Sequence, residues 1–351
     1  ITFNYDLIID VGLESLSMEY NYSLEDSNFS EIPLLKLHGS LNWFDENEKI
    51  NIYPWPDKKY LSNLLSNEIK KDEEGDEVGF ITFRNPDPKI YNAIHWDGNK
   101  WDVMRIQAVF RGNIVTPPLE GIFAFSETDI WMVGSLPVHG DGNNWNIYDI
   151  RTTVDPNLSV SKTWGNSSNN IFFVGMMGSI AHYQNGSWTK IESGTTSIIN
   201  DAWGFLNEQN KTIIYCPVAS FFTVNDNKIL KIVDGVVDSV NWNRDVRLYS
   251  AWAQNENFLY VCGEGVYVNK FGTWNEIVLQ PVGTNSIRGN GINDIFVVGD
   301  YGFRSHFNGS NWEIYNADYL KGYSRLSFKG DIVAIAGNYQ GKAIVEIGRR
   351  N

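Results

Sequence analysis

From about residue 90 to its end, the sequence predicts an all-β array of repeats whose unit has the size of a β-propeller blade. Three observations support this prediction: a recurring polar hairpin turn, a recurring apolar strand that ends in glycine, and a spacing of about 40 residues between copies. A unit of that length with four short strands matches a propeller blade. A β-helix needs a shorter rung, and an immunoglobulin array needs a longer unit.

The polar hairpin has Asp or Asn beside Gly at its turn and Trp at the start of its return strand. Because Gly and Asn tolerate positive φ, such a turn between apolar residues is the strongest short-range hairpin signal. Copies stand at residues 95–101, 139–145, 182–188 and 306–312, with weaker ones at 234–235 and 271–274. We expect these segments to form the outer hairpins of the blades.

The apolar strand alternates with the polar hairpin and is apolar on both faces, as a strand covered on both sides requires. Its copies occupy residues 128–134, 169–175, 257–263, 293–299 and 331–337. The glycines that close them are separated by 41, 88, 36 and 38 residues, and 88 corresponds to two units with a degenerate copy near 215–218. Each inner strand is therefore expected to end at Gly134, Gly175, Gly263, Gly299 or Gly337.

The ends of the array are out of phase, which leaves the number of blades open between six and seven. The series opens with an outer hairpin at 91–104 and closes with an inner hairpin and one further strand. We expect the first and last segments to share one blade, because propellers close by pairing strands from the two ends of the chain. Residues 80–83 alternate apolar and β-branched side chains and are predicted to form a strand at this junction.

The first 80 residues differ in composition from the repeats. Leu61, Leu64, Leu65 and Ile69 have helical spacing, and the charged run 70–77 is typical of a solvated linker. The predicted organisation is an amino-terminal segment over 1–60, a helix and charged linker over 61–84, and a propeller over 85–351.

Charge and composition exclude several functions. The net charge of −14 and the pI near 4.8 would repel a phosphate backbone, so nucleic acid is not an expected partner. No apolar run approaches the ~18 residues that a membrane span needs. Cys216 and Cys262 are too few for a disulfide framework or a zinc ribbon, and we expect both to be buried and reduced.

The repeat region resembles a family of bacterial β-propellers, some of which are labelled glucosyl hydrolases. The segments that carry the resemblance are 85–88 (Asn-Pro-Asp-Pro), 191–196, 287–291 and 341–350. The resemblance covers residues 85–351 and implies the fold, with a secreted or cell-envelope location. It implies almost nothing about activity.

The amino-terminal segment resembles the sirtuin-like domains of bacterial NAD hydrolases. The resemblance rests on the motif at 2–6 (Thr-Phe-Asn-Tyr-Asp) and on the His-Gly motif at 35–43. It implies that Asn4 and His38 would be catalytic, with Asn4 positioning the nicotinamide ribose and His38 accepting a proton from a ribose hydroxyl. Thr2, Asp6 and Gly39 would complete the NAD-binding set, and the location would be cytoplasmic. The glycine-rich pyrophosphate loop of that family is not in this sequence.

Other candidate residues have simpler interpretations. His95, His139, His182 and His306 recur at equivalent places in successive blades, too far apart to share a metal, so we expect each beside the Trp of its own hairpin. Asp-Gly-Asn at 97–99 and 141–143 fits a turn better than a calcium loop, which needs more oxygen ligands. Glu120, Glu192, Glu264 and Asp300 stand near turns, but the sequence does not pair any two of them for glycoside cleavage.

The function that the sequence favours is a non-catalytic propeller that presents a loop face or central channel to a protein or a glycan. No cofactor and no metal is expected. The alternatives are an NAD hydrolase whose missing loop lies upstream of Ile1, and a propeller active on glycosides. The oligomeric state is left open.

Overall fold

The computed structural model describes residues 34–37, 65–71, 77–83, 91–96, 101–219, 226–315, 318–339 and 342–349. Within these residues the protein is mainly β and has a six-bladed propeller arrangement, as the repeats predicted. No helix among them is long and apolar enough to cross a membrane.

Three blades are regular four-stranded antiparallel sheets, and we list their strands from the central channel outward. Blade II consists of Ser159–Ser167, Asn170–Met176, Ile180–Gln184 and Ser187–Lys190. Blade IV consists of Leu248–Asn255, Phe258–Gly263, Gly265–Lys270 and Thr273–Ile277. Blade V consists of Thr284–Gly291, Asp294–Gly299, Arg304–Phe307 and Trp312–Tyr315, with a 3-10 turn at Asp300–Gly302.

Blade I carries two extra strands on its outer edge. Its four regular strands are Gly121–Ser126, Asp129–Gly134, Leu136–Gly140 and Trp145–Ile147. The hairpin Ala108–Phe110 and Asn113–Val115 extends this sheet, and Ala108–Phe110 runs parallel to Trp145–Ile147. A short helix, Ile150–Thr153, follows, and the Asp149 carboxylate caps it by accepting the N–H of Thr152.

Blade III is the degenerate copy that the spacing of 88 residues predicted. Its first strand is split into Ile198–Ile199 and Trp203–Leu206. The remaining strands are Thr212–Ala219, Lys228–Val233 and Val236–Ser239. The buried strand Thr212–Ala219 carries Pro217 near its end rather than a closing glycine.

Blade VI has three strands of its own, Lys321–Lys329, Ile332–Tyr339 and Lys342–Arg349. The strand Glu77–Phe83 lies alongside Lys342–Arg349 and pairs with Leu65–Lys71 in an antiparallel hairpin. The predicted strand at residues 80–83 is therefore confirmed. The chain before the repeats supplies the hairpin that flanks the outer edge of blade VI.

Two predictions for this region are wrong. The hairpin Ala93–Trp96 and Trp101–Met104 does not join the sheet of blade VI but pairs with Leu34–Leu37 in a separate sheet. The helix predicted from the leucine spacing is a strand over Leu65–Lys71. A short apolar segment fits both the helical and the strand period. Here the segment is a strand because its backbone pairs with that of Glu77–Phe83.

The closing glycines of five blades stand where a side chain has no room. A Cβ added at Gly134, Gly175, Gly263, Gly299 or Gly337 would lie 1.9–2.3 Å from a backbone carbonyl oxygen at or just before the start of the first strand of the same blade. Gly134, Gly263 and Gly299 end their strands as predicted, whereas the strands of Gly175 and Gly337 continue one and two residues further. The same close backbone approach therefore recurs in these five blades.

The hydrophobic core lies between neighbouring blades. Adjacent residues of one strand pack against opposite neighbours: Phe173 packs with Trp131 of blade I, and Phe172 packs with Ile214 of blade III. This explains why the second strands are apolar on both faces. Cys216 and Cys262 are buried in these interfaces and free, as predicted.

Candidate functional site

Three of the recurring histidines have the same structural role. The Nε2 atoms of His139, His182 and His306 lie 2.8, 2.6 and 2.7 Å from the side-chain oxygens of Asp129, Asn170 and Asp294. Their rings stack on Trp131, Phe172 and Phe296. Each histidine therefore ties the third strand of its blade to the second strand.

The prediction that these histidines lie beside the Trp of their own hairpin is wrong. The strand register places each one directly opposite an aromatic residue of the second strand, as in the pair His182 and Phe172. Among the described residues, no three His, Cys, Asp or Glu side chains gather around a possible ion. The predicted lack of a metal remains a prediction.

The other candidates from the sequence do not converge on one site. Thr2, Asn4, Asp6, His38 and Gly39 lie outside the described residues. Glu192 pairs with Lys190, Glu264 with Arg247, and Asp300 accepts a hydrogen bond from Asn285. The Asp141 carboxylate accepts hydrogen bonds from the Asn144 side chain and from the backbone N–H groups of Asn144 and Asn143 within its own turn, and these bonds lower its pKa to about 2.

The first strands of the blades meet around the central channel, and four of them share one position just after a bulge. The strand register skips one residue before Lys162, Ser250, Ser286 and Arg325. The two serines join blades at this position: Ser250 Oγ accepts the N–H of Ile287 at 3.2 Å, and Ser286 Oγ accepts the N–H of Leu326 at 3.2 Å. Lysine and arginine at the same place in blades II and VI cannot accept such a bond.

An ion pair spans three blades next to these serines. Both Arg288 guanidinium nitrogens contact the Asp201 carboxylate, at 2.9 and 3.1 Å, and Ser250 Oγ donates to Asp201 Oδ2 at 2.6 Å. The guanidinium also lies over the Trp203 ring, 4.8 Å from its centroid. Burial acts to raise the pKa of Asp201, but the charge and hydrogen bonds of Arg288 and the hydrogen bond from Ser250 hold it below its usual value. The charges of Arg288 and Asp201 therefore compensate each other.

Lys162 and Arg325 have no such partner in the described part of the chain. Lys162 Nζ donates to the backbone oxygen of Ser161 at 3.0 Å, and Arg325 Nη1 donates to that of Ser324 at 2.6 Å. Both side chains are partly buried. The channel therefore holds two cations without a paired carboxylate, in a protein whose net charge is −14.

The charges on the surrounding blades act on Lys162 together. Burial and the positive charges of Arg325 and Arg288 lower the pKa of Lys162 to about 7, although Glu120 and Asp201 act in the opposite direction. These four groups belong to blades VI, V, I and III, so the amine senses charges from almost every side of the ring. An amine that faces a channel shared by the blades is expected to respond to charges on several of them.

No recurring motif of the sequence contains these channel residues. The motifs lie on the second to fourth strands, whereas the first strands differ in sequence from blade to blade. Lys162, Ser250, Ser286 and Arg325 each lie opposite the residue that precedes a closing glycine, and the strand register is needed to find this shared position.

No family model and no curated protein matches this chain. Solved structures do. YCF48 bound to D1 peptide is 14% identical with a TM-score of 0.54, covering 78% of this chain and 89% of that one. YCF48 from Cyanidioschyzon merolae is 14% identical with a TM-score of 0.55, covering 84% and 97%.

The WD40 domain of Pan2 from Neurospora crassa is 11% identical to this chain with a TM-score of 0.51, covering 86% of this chain and 94% of that one. The chain is a β-propeller. At these identities the likeness of the propeller extends to the fold alone.

Proposed function

We propose that this propeller is a non-catalytic binding module whose channel receives an acidic group of a partner peptide or protein. The observation that carries the proposal is the pair Lys162 and Arg325. Serine occupies their position in blades IV and V and joins the blades there, so the fold does not require a cation at this place. Their charge is available to a ligand.

Charge complementarity selects the class of ligand. A carboxylate entering the channel would meet both cations, whereas Asp201 already occupies the guanidinium of Arg288. The net charge of −14 disfavours a long polyanion, so a single acidic group presented by a peptide suits the channel better than a nucleic acid. The YCF48 structure with a D1 peptide bound supports peptide binding by a propeller of similar fold.

Labelled peptides of equal length that differ only in carrying glutamates, glutamines or lysines would test this proposal by fluorescence anisotropy. The glutamate peptide should bind most tightly, and its affinity should fall as salt is added. The double variant Lys162→Ser with Arg325→Ser, which copies the residue of blades IV and V, should bind it at least ~10-fold more weakly.

A matched control removes two exposed charges elsewhere, Lys211→Ser with Lys270→Ser, and should leave the affinity within ~2-fold. Equal binding of the three peptides, or equal losses in the two double variants, would contradict the proposal. A glycan partner, NAD hydrolysis by residues 1–60 and glycoside cleavage remain predictions from the sequence.

A further inference from the structure

Two exposed tyrosines lie side by side on the face of the propeller where the second strands end and the first strands begin. Tyr301 belongs to the turn after the second strand of blade V, and Tyr319 belongs to the segment that connects blade V to blade VI. Their ring centroids are 6.1 Å apart, the rings are inclined by 51°, and the residues are 54% and 79% exposed. Leu320, next in the chain, is also exposed. We call Tyr301 and Tyr319 the tyrosine pair.

The two segments that carry these rings are fixed by backbone contacts. The N–H of Asp300 donates to the carbonyl oxygen of Gly283 at 2.8 Å, and the N–H of Phe303 donates to that of Asp300 at 3.1 Å. A Cβ added at Gly302 would lie 2.5 Å from the backbone nitrogen of Asp318, so the turn packs directly against the connecting segment. The tyrosine pair is therefore preorganised, which lowers the entropic cost of binding a ligand.

Tyr301 has a backbone conformation that a bulky residue rarely adopts, with φ 58° and ψ 31°. It stands two residues after the closing glycine of its blade. In blade IV this position is Gly265, whose φ of 105° costs glycine little, and in blade II it is Met177, with φ 53° and a side chain that is also exposed. Two blades thus carry an exposed apolar side chain on this face in a strained conformation that glycine would relieve. Such strain is typical of ligand-binding sites.

The polar groups beside the tyrosine pair are already hydrogen-bonded, which favours an apolar ligand over a sugar. Asp300 Oδ1 accepts the side-chain N–H of Asn285 at 2.8 Å. Asp318 Oδ1 accepts the N–H of Leu320 at 3.1 Å, and Asp318 Oδ2 lies 3.4 Å from Lys321 Nζ. A sugar needs polar partners for its hydroxyl groups. Proline instead offers a rigid apolar ring, and a polyproline II segment docks on aromatic side chains with little loss of entropy.

We propose that the tyrosine pair binds a proline in the polyproline II conformation, within the same peptide that places an acidic group in the channel. The link to the acidic group rests on the proposed function, whereas the proline site does not. Lys162 and Arg325 lie opposite the residue before a closing glycine, so they are close to the same face. Six positions separate Tyr319 from Arg325, so their Cα atoms are at most ~22 Å apart. A polyproline II segment covers that distance in about seven residues.

Labelled peptides that carry a glutamate and, about seven residues away, two prolines would test this proposal by fluorescence anisotropy. Replacing the prolines by alanine should weaken binding to the native protein at least ~5-fold. Tyr301→Gly, which copies blade IV, and Tyr319→Ser should each abolish this preference for proline and keep the preference for glutamate over glutamine.

Phe271→Asn is the matched control. Phe271 is also exposed and left-handed (φ 50°), but it lies in the turn between the third and fourth strands of blade IV, at the opposite end of the sheet. Asn185 occupies the equivalent turn of blade II with φ 48°. Both Tyr301→Gly and Phe271→Asn should remain folded, because glycine and asparagine accept positive φ. The control should keep the proline preference within ~2-fold.

Equal binding of the proline and alanine peptides to the native protein would overturn the proposal, as would a proline preference that survives both tyrosine variants or is lost equally in Phe271→Asn. Binding of labelled maltohexaose that disappears in the tyrosine variants would assign the pair to a glycan and would also overturn it. A preference for proline without a preference for glutamate would contradict the proposed function alone, and the reverse result would contradict the proline site alone.

Discussion

The guanidinium of Arg288 lies within 2.9 Å of the carboxylate of Asp201, although 87 residues separate them in the chain. Asp201 belongs to blade III and Arg288 to blade V, and Ser250 of blade IV bonds to both of them. Three first strands are therefore held together by one polar contact at the channel. The contact is almost fully buried, with side-chain exposures of 11% and 7%, so it has little competition from water.

Removal of Asp201 should destabilise the propeller strongly. Asp201→Ala leaves the buried Arg288 without its carboxylate, and breaking such a pair typically costs ~3–5 kcal/mol. Chemical denaturation would measure this loss. Glu256→Ala, which removes the partner of Lys231 at the surface, is the control and should cost under ~1 kcal/mol. Similar losses for both variants would show that the Asp201 contact does not join the blades.

The closing glycines should tolerate no side chain. Gly299→Ala brings a Cβ to 2.1 Å from the Gly283 carbonyl oxygen, so the first strand must shift. We expect a loss of at least ~2 kcal/mol in the free energy of unfolding. Gly291→Ala is the matched control in the same blade, because its Cβ would meet no atom closer than 3.9 Å. It should change stability by under ~1 kcal/mol.

The pH dependence of stability should report on Lys162. Its pKa is about 7 in the folded protein and ~10.4 in the unfolded chain, so the unfolded chain binds more protons between these values. The penalty for charging Lys162 in the channel is complete below pH ~7 and disappears as the pH rises toward ~10.

Lys162→Ser removes that penalty. Relative to the native protein, this variant should gain stability most below pH ~7, and the gain should shrink steadily as the pH rises toward ~10. Denaturation at several pH values measures the difference, and Lys270→Ser provides the control at an exposed site. A difference that does not vary with pH would mean that the amine keeps its ordinary pKa.

The closure of the ring should be its least stable part. Blade VI has three strands of its own, and the hairpin from residues 65–83 lies beside its outer strand. Blades II and V, in contrast, are each built from four consecutive strands. Hydrogen exchange should show residues 79–104 and 338–350 opening well before 161–190 and 285–315. Uniform protection around the ring would show that the closure is as stable as the blades.

The blades could be predicted from the amino-acid sequence. Turn chemistry and alternating patterns are local properties, so hairpins, closing glycines and the degenerate third blade could be predicted from spacing. The glycines at 134, 263 and 299 end their strands as expected, and the chain has no room for a Cβ at these positions. Buried cysteines followed from composition in the same way.

The remaining features could not be predicted, because they depend on contacts between residues far apart in the chain. A leucine spacing that suits a helix became the strand Leu65–Lys71 once a partner strand supplied its hydrogen bonds. The histidines stack on aromatic residues of the second strands because the strand register, not their neighbours in sequence, places them there. Lys162 and Arg325 are 163 positions apart by their numbers and belong to no motif. Only the ring of first strands brings their charges to one channel and lowers the pKa of the lysine.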